Sequence, residues 1–313
     1  MCTSIFDNKY GHFFGRTLDL DFSYGEEVVK THKGSELSFF HEGKITARFD
    51  YIGMAHKVRR GEGEEEIPLY YDGMNEGGLC IAALNFPGYA VYNEKKDKCR
   101  NLASFEVIPY ILANCGNIDC VKKLLCGANI TSGAFSPSLP PTPLHWMVAD
   151  RGSSIVIEQG ERGLMIYENT VGVMTNAPSF DYHMTRLSDY MSMSPAPPTN
   201  TLYPDTELRS YSRGMGAVGL PGDFSSGSRF VRAVYVKAHT LMPSKALFDG
   251  EQEGASVERF FKIMSSVSVP LGCIMTDEDK PVCTVYTSVC DMDTLTYRYF
   301  TYTDRTVKAI SLR

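Results

Sequence analysis

An α+β fold, with stacked sheets and helices packed outside them, is what the 313-residue sequence predicts. Three observations carry that expectation. The tail over residues 284–312 alternates apolar and polar residues in three runs (TVYTSV, TLTYRYFTY, VKAISL), the period of half-buried strands. Segments of helical period lie between other strand-like runs in the middle of the chain. No repeat, linker or compositional break divides it, so one domain over residues 1–313 is the simplest architecture.

The elements follow in order. Residues 2–6 and 12–18 read as two strands joined by a turn at residues 8–11. This places the second strand beside the N-terminus, with Arg16 and Asp19 the charges best able to reach Cys2. The two have opposite parity, so if both reach Cys2 the strand must bulge between Thr17 and Leu18. An isolated RxxD is more often a solvated surface pair, but Phe13, Phe14, Leu18 and Leu20 argue for a packed segment. Residues 26–60 alternate weakly and form further strands. The run GEGEEE (61–66) is a solvated loop, because its closely spaced carboxylates repel one another. In residues 70–92, Asp72-Gly73 and the stretch 75–78 mark turns around the buried strand LCIAALNF, with Asn85 at its end.

Residues 103–115 are helical in pattern, with a kink expected at Pro109. A short helix over 118–126 has Asn117 as N-cap and Gly127 just past its end. The Ser/Pro/Gly stretch 127–143 has the length of a functional loop. Strands follow at HWMVAD, SIVIEQ, LMIYEN and VGVMTN, with a turn at Arg151-Gly152. Asn176 stands where the last of these gives way to a helix opened by Pro178, whose apolar stripe is Phe180, Met184, Leu187 and Met191. Residues 195–205 form a surface loop. Gly214, Gly216 and Gly219 spell a dinucleotide fingerprint, which the absence of a preceding apolar strand and the stop at Pro221-Gly222 reject. Ser228 caps a helix with Val231, Val234, Tyr235 and Ala238 on its apolar face. Arg229 in its first turn is misplaced against the helix dipole, which marks either a functional site or a salt bridge. Ser256 caps a last helix bearing Val257, Phe260, Phe261 and Met264.

Composition narrows the function. A net charge of −6 without a basic block leaves nucleic acid no electrostatic footprint. No run reaches the ~18 apolar residues of a membrane span. Asp7 and Lys9 interrupt any signal-peptide core, so the cytoplasm is the default location. The nine cysteines contain no CxxC pair, and the seven histidines form no metal-ligand grouping; His145 reads as structural. No zinc-ligand spacing is present.

Cys2 is different. Methionine aminopeptidases remove Met1 when the second side chain is small, so the mature chain would begin at Cys2. That residue would then carry a thiol (pKa ~8.5) and an α-amine (pKa ~7.7–8.0), a nucleophile and its base together.

The stretches MCTS, FGRTLDLD, DGMNEGGL, LNFPGYAVY, LHWMVAD, GVMTNAPSFDYH and GLPGDFSSGSRF, collinear from residue 2 to about 230, resemble the choloylglycine hydrolase family. Its members are the bile salt hydrolases and penicillin V acylases. The resemblance implies an N-terminal nucleophile (Ntn) hydrolase fold, a four-layer αββα sandwich of two antiparallel sheets flanked by helices, assembled as a homo-oligomer, often a tetramer. It implies cleavage of the amide in a small amphipathic molecule, without a cofactor, nucleic acid or membrane. Cys2 would be the nucleophile, with Arg16 and Asp19 close to it, Asn85 and Asn176 forming the oxyanion hole, and Arg229 near the site. Leu18 and Asn85 would contact substrate. The asparagine of LNFP leans towards conjugated bile salts. Penicillin V or acyl-homoserine lactones stay open as alternatives, as does a catalytically silent ligand-binding protein.

Overall fold

A computed structural model describes residues 1–61, 63–243 and 254–313; part of the acidic run 61–66 thus lies outside the described residues. Two antiparallel sheets dominate it. The first runs, edge to edge, Val173–Met174, Cys2–Asp7, Phe13–Leu20, Cys283–Asp291, Thr296–Thr301 and Lys308–Ser311. Chain start and chain end therefore meet in its middle, where Phe13–Leu20 pairs with both the N-terminal strand and Cys283–Asp291. The second sheet runs Gly163–Glu168, Ser154–Gly160, Leu144–Ala149, Cys80–Asn85, Asp72–Asn75, Tyr51–Val58 and Glu27–Thr31, with Ile67–Tyr70 also on Tyr51–Val58.

Side-chain parity builds the layers. Cys80, Ala82 and Leu84 join one buried cluster with Met54, Met147 and residues of the first sheet. Their neighbours Leu79, Ile81 and Ala83 join a second cluster with Val107, Ile111 and Val121 of the helices Val107–Asn114 and Ile118–Leu125. A strand buried on both faces reads as the continuous apolar run LCIAALNF, because neither set of alternate positions meets water. In the first sheet, Phe13 stacks on Phe260 of the helix Ala255–Ser265, at 5.6 Å between rings. Arg16, of opposite parity, reaches the second sheet instead, its Nη1 donating to Tyr71 O at 3.1 Å. The order is helix, sheet, sheet, helix.

Several local expectations are corrected. Phe13–Leu20 pairs residue for residue with Cys2–Asp7, from Cys2 opposite Leu18 to Asp7 opposite Phe13, so no bulge separates Thr17 from Leu18. The register shift lies in the neighbouring strand, between Thr284 and Tyr286. Asp72-Gly73 is strand, not turn: Gly53 and Gly73 let two backbones approach closely, and a Cβ at Gly53 would lie 2.1 Å from Asp72 O. Pro109 is the third residue of its helix, where a missing N–H costs nothing, and the helix continues past it to Asn114. The stretch 127–143 contains a short strand, Asn129–Thr131, parallel to Asn101–Ala103. The helix after Asn176 is Phe180–Leu187; Met191 lies beyond it and is 83% exposed, outside any core stripe.

Helix starts shift as well. Ser225, not Ser228, caps Ser226–His239, accepting from Ser228 N, while the Ser228 hydroxyl donates to Asp223. Its buried face is Arg229, Phe230, Val231 and Ala233, so Ala238 falls outside it. Gly254 in a left-handed conformation, not Ser256, precedes Ala255–Ser265. Gly214 and Gly219 flank, and Gly216 lies within, a single 3₁₀ turn, Met215–Ala217.

Candidate active site

The N-terminal strand threads between Val173–Met174 and Phe13–Leu20, which fixes what Cys2 can touch. Cys2 and Arg16 share the face turned to the second sheet, and Arg16 Nη2 donates to Cys2 Sγ at 2.8 Å. Arg16 is wholly buried. Burial works against its charge, but Cys2, Tyr286, Asp72 and Asp19 outweigh that cost, and its pKa is raised. Asp72 lies behind it, Oδ2 3.9 Å from Nε, and accepts from the hydroxyls of Tyr286 and Tyr297 at 2.6 Å each. This buried carboxylate was missed in the sequence, where DG looked like a turn.

The opposite face holds the other charges. Asp19 Oδ1 accepts from Thr284 Oγ1 at 2.7 Å, and its backbone N–H donates to Met1 O at 2.9 Å. Burial pushes the Asp19 carboxyl up, opposed by Arg229, the terminal amine, Thr284 and Arg16. Asp19 thus stands beside the N-terminal backbone, and Arg16 beside the sulfur. An unbroken strand serves both because Arg16 and Asp19 lie on opposite faces of it, one reaching the Cys2 sulfur and the other Thr284 beside Met1.

Arg229, also fully buried, reaches across from the helix Ser226–His239. Its Nη1 donates to Cys2 O and, at 2.6 Å, to Thr3 Oγ1; its Nη2 donates to Asn176 Oδ1 at 2.7 Å. Burial lowers its pKa, against the pull of Asp19 and Cys2. The misplaced cation of the first helical turn is held by these acceptors.

Asn176 is the hub. Its Oδ1 accepts from Cys2 N at 2.9 Å, and its Nδ2 donates to Asn85 O at 2.8 Å. Its own N–H donates to Ser226 Oγ at 3.0 Å, and its carbonyl accepts from His183 Nε2 at 2.9 Å. All six charged, polar or thiol residues singled out in the sequence are therefore brought to one place. Leu18, paired with Cys2, lines a cavity of about 210 Å³ together with Cys2, Arg16 and Asn85.

That cavity is walled by Cys2, Arg16, Leu18, Asn85, Tyr24, His56, Tyr71, Phe105, Phe135 and Leu139. Phe135 and Leu139 come from the stretch 127–143, which thus forms part of the wall of the cavity that Cys2 also lines. A roomier groove of about 1290 Å³, around Arg48, Arg100 and Lys123, shares no wall with it and lies apart from the nucleophile. Among the described residues no group of three or more His, Cys, Asp or Glu is placed to hold a metal ion, and no helix is long and apolar enough to cross a membrane. Chemically, the arrangement offers a thiol under a guanidinium, an amide donor at its side and an apolar chamber for an acyl group.

Residues 2–313 match the family described as linear amide C–N hydrolases, choloylglycine hydrolase family. The chain is 42% identical to the bile salt hydrolase/transferase of Lactiplantibacillus plantarum over 312 residues, covering 100% of this chain and 92% of that protein. It is 34% identical to the bile salt hydrolase/transferase of Bifidobacterium longum, covering 100% and 95%. A mutant of the conjugated bile acid hydrolase from Clostridium perfringens superposes with a TM-score of 0.86 at 31% identity, covering 99% and 92%. The penicillin V acylase of Agrobacterium tumefaciens shares the fold, with a TM-score of 0.73 at 19% identity, covering 99% and 86%.

Proposed function

Because the chain belongs to the choloylglycine hydrolase family of linear amide C–N hydrolases, we propose that it hydrolyses conjugated bile salts to free bile acid and glycine or taurine. The bile salt hydrolases it resembles over nearly their whole length support that substrate. The observation that carries the chemistry is Cys2 Sγ, 2.8 Å from Arg16 Nη2 at the wall of an apolar cavity.

Removal of Met1 turns the Cys2 nitrogen from a peptide N–H into a free amine, with Asn176 Oδ1 already 2.9 Å away to hold it. The amine takes the thiol proton as sulfur attacks the amide carbonyl, then passes it to the departing nitrogen of glycine or taurine. Arg16 favours the thiolate through its charge. Asn176 Nδ2 spends one hydrogen on Asn85 O and keeps a second; with Asn85 it stabilises the oxyanion, and losing such a donor costs about 10²–10³ in rate. Arg229 and Asp19 flank the amine, and Leu18 lies against the acyl group. Water cleaves the resulting thioester. No step calls on a cofactor.

The mature chain on this reading is one domain beginning at Cys2, acting in the bacterial cytoplasm as a homotetramer. Leu202, Tyr203, Leu208, Tyr211 and Val218 support assembly, because they expose 57–87% of their surface along one stretch. A product assay on glycocholate, taurocholate and penicillin V tests the substrate. Release of glycine and taurine ahead of penicillin V cleavage is expected; the reverse order overturns the bile-salt reading. Intact-mass measurement on the same active sample should show a chain without Met1. Full activity from a homogeneous species that retains Met1 would exclude the α-amine as base.

A further inference from the structure

We propose that His145 is a positioning residue for both asparagines of the site, a single imidazole that ties the segment carrying Asn85 to the segment carrying Asn176. The proposal rests on the functional reading above and concerns a histidine that looks merely structural in the sequence.

His145 lies on Leu144–Ala149, opposite Leu84, and its ring packs flat against Phe86 at 4.3 Å with 9° between planes. Phe86 follows Asn85 directly, so this contact sets where the first asparagine leaves its strand. His145 Nε2 donates to Thr175 O at 2.8 Å; a carbonyl can only accept, so this nitrogen carries the hydrogen. Nδ1 lies 3.1 Å from Glu158 Oε1, and the same oxygen accepts from Phe180 N–H at 3.0 Å. The stretch 175–180 is thus pinned at its start by His145 and at its end by Glu158. Asn176 sits one residue past the first pin.

His145 and Glu158 are 1% and 3% exposed, and neither walls the cavity beside Cys2. They act on the reaction only through the asparagines. His145 joins both arms of the oxyanion site, which Asn176 Nδ2 closes on Asn85 O at 2.8 Å.

His145→Phe keeps a ring against Phe86 and deletes both nitrogens. Glycocholate turnover by the folded variant should fall about 10–100-fold in kcat, the cost of a donor displaced by roughly 1 Å, with KM little changed. Cys2 should still react with iodoacetamide at the wild-type rate, since the Cys2–Arg16 contact is untouched. Combined with Asn176→Ala, the loss should not add: the double variant should be no slower than Asn176→Ala alone. Unchanged kcat, additive losses or a parallel loss of alkylation would each overturn the proposal. If His145→Phe does not fold, His145→Gln, which retains one donor, goes through the same cycle with a roughly 10-fold loss expected. A wild-type protein that releases neither glycine nor taurine overturns the functional reading and this inference with it. Normal wild-type turnover with an indifferent variant overturns this inference alone.

Discussion

Exchanging the Cys2 sulfur for oxygen is the smallest change that separates chemistry from structure at this site. Cys2→Ser alters one atom in a residue 2% exposed, so melting temperature should move little, while bile-salt hydrolysis should fall more than about 10³-fold. Cys2→Ala should be equally inactive and lose about 1 kcal/mol of stability for the small cavity left. Wild-type turnover by either variant would remove Cys2 from the mechanism. His183 supplies a second test, in pH. Burial lowers its pKa from 6.5 to about 4, partly offset by its bond to Asn176 O, and its buried Nδ1 has no hydrogen-bond partner among the described residues. Protonation would therefore leave an unpaired charge in the interior. The unfolded chain binds the proton at pH 6.5 and the folded chain resists it to about 4, so stability is lost as pH falls through that window, by up to about 3 kcal/mol. Melting temperature followed from pH 7 to 4 should fall less steeply in His183→Gln; parallel curves would assign the acid sensitivity elsewhere.

At the scale of elements, the site depends on two sheets held close enough for an arginine of one to bond a carbonyl of the other. Gly53 and Gly73 allow the tightest approach within the second sheet, beside Tyr71 and Asp72, which face Arg16. Gly53→Ala would set a Cβ 2.1 Å from Asp72 O, and backbone cannot yield as a flexible side chain does. A loss of more than about 2 kcal/mol is expected from such overpacking, with a lower denaturant midpoint and, in the folded fraction, weaker turnover as Arg16 shifts. Wild-type stability in Gly53→Ala would show that the strands can separate freely. The failed expectation of a bulge belongs here too. It assumed that Arg16 and Asp19 must converge on one atom, whereas Arg16 bonds the Cys2 sulfur from one face and Asp19 bonds Thr284 and the Met1 backbone from the other.

For the whole molecule, the proposed tetramer would cover the exposed apolar side chains between Leu202 and Val218. Light scattering should give four times the chain's 34.9 kDa, and Leu208→Glu with Tyr211→Glu should reduce that mass while leaving each subunit folded. A wild-type mass of one chain would refute the tetramer.

Much of this protein is written locally. Strand alternation, the Asn117 cap and the apolar run LCIAALNF are all short-range patterns, so stacked sheets with helices outside are legible from the chain itself, while the motifs around Cys2, Arg16, Asn85, Asn176 and Arg229 point to a site through their resemblance to a family. What tertiary structure decided is which groups complete those motifs. Asp72 looks like half of a turn until Gly53 approaches it from another strand, and Ser228 looks like a cap until Asp223 takes its hydroxyl. His145 looks like core filler until Thr175, Glu158 and Phe86 arrive from three separate segments. The physical reason is the same throughout: a buried polar group is defined by its partners, and its partners here lie up to 265 residues away in the chain.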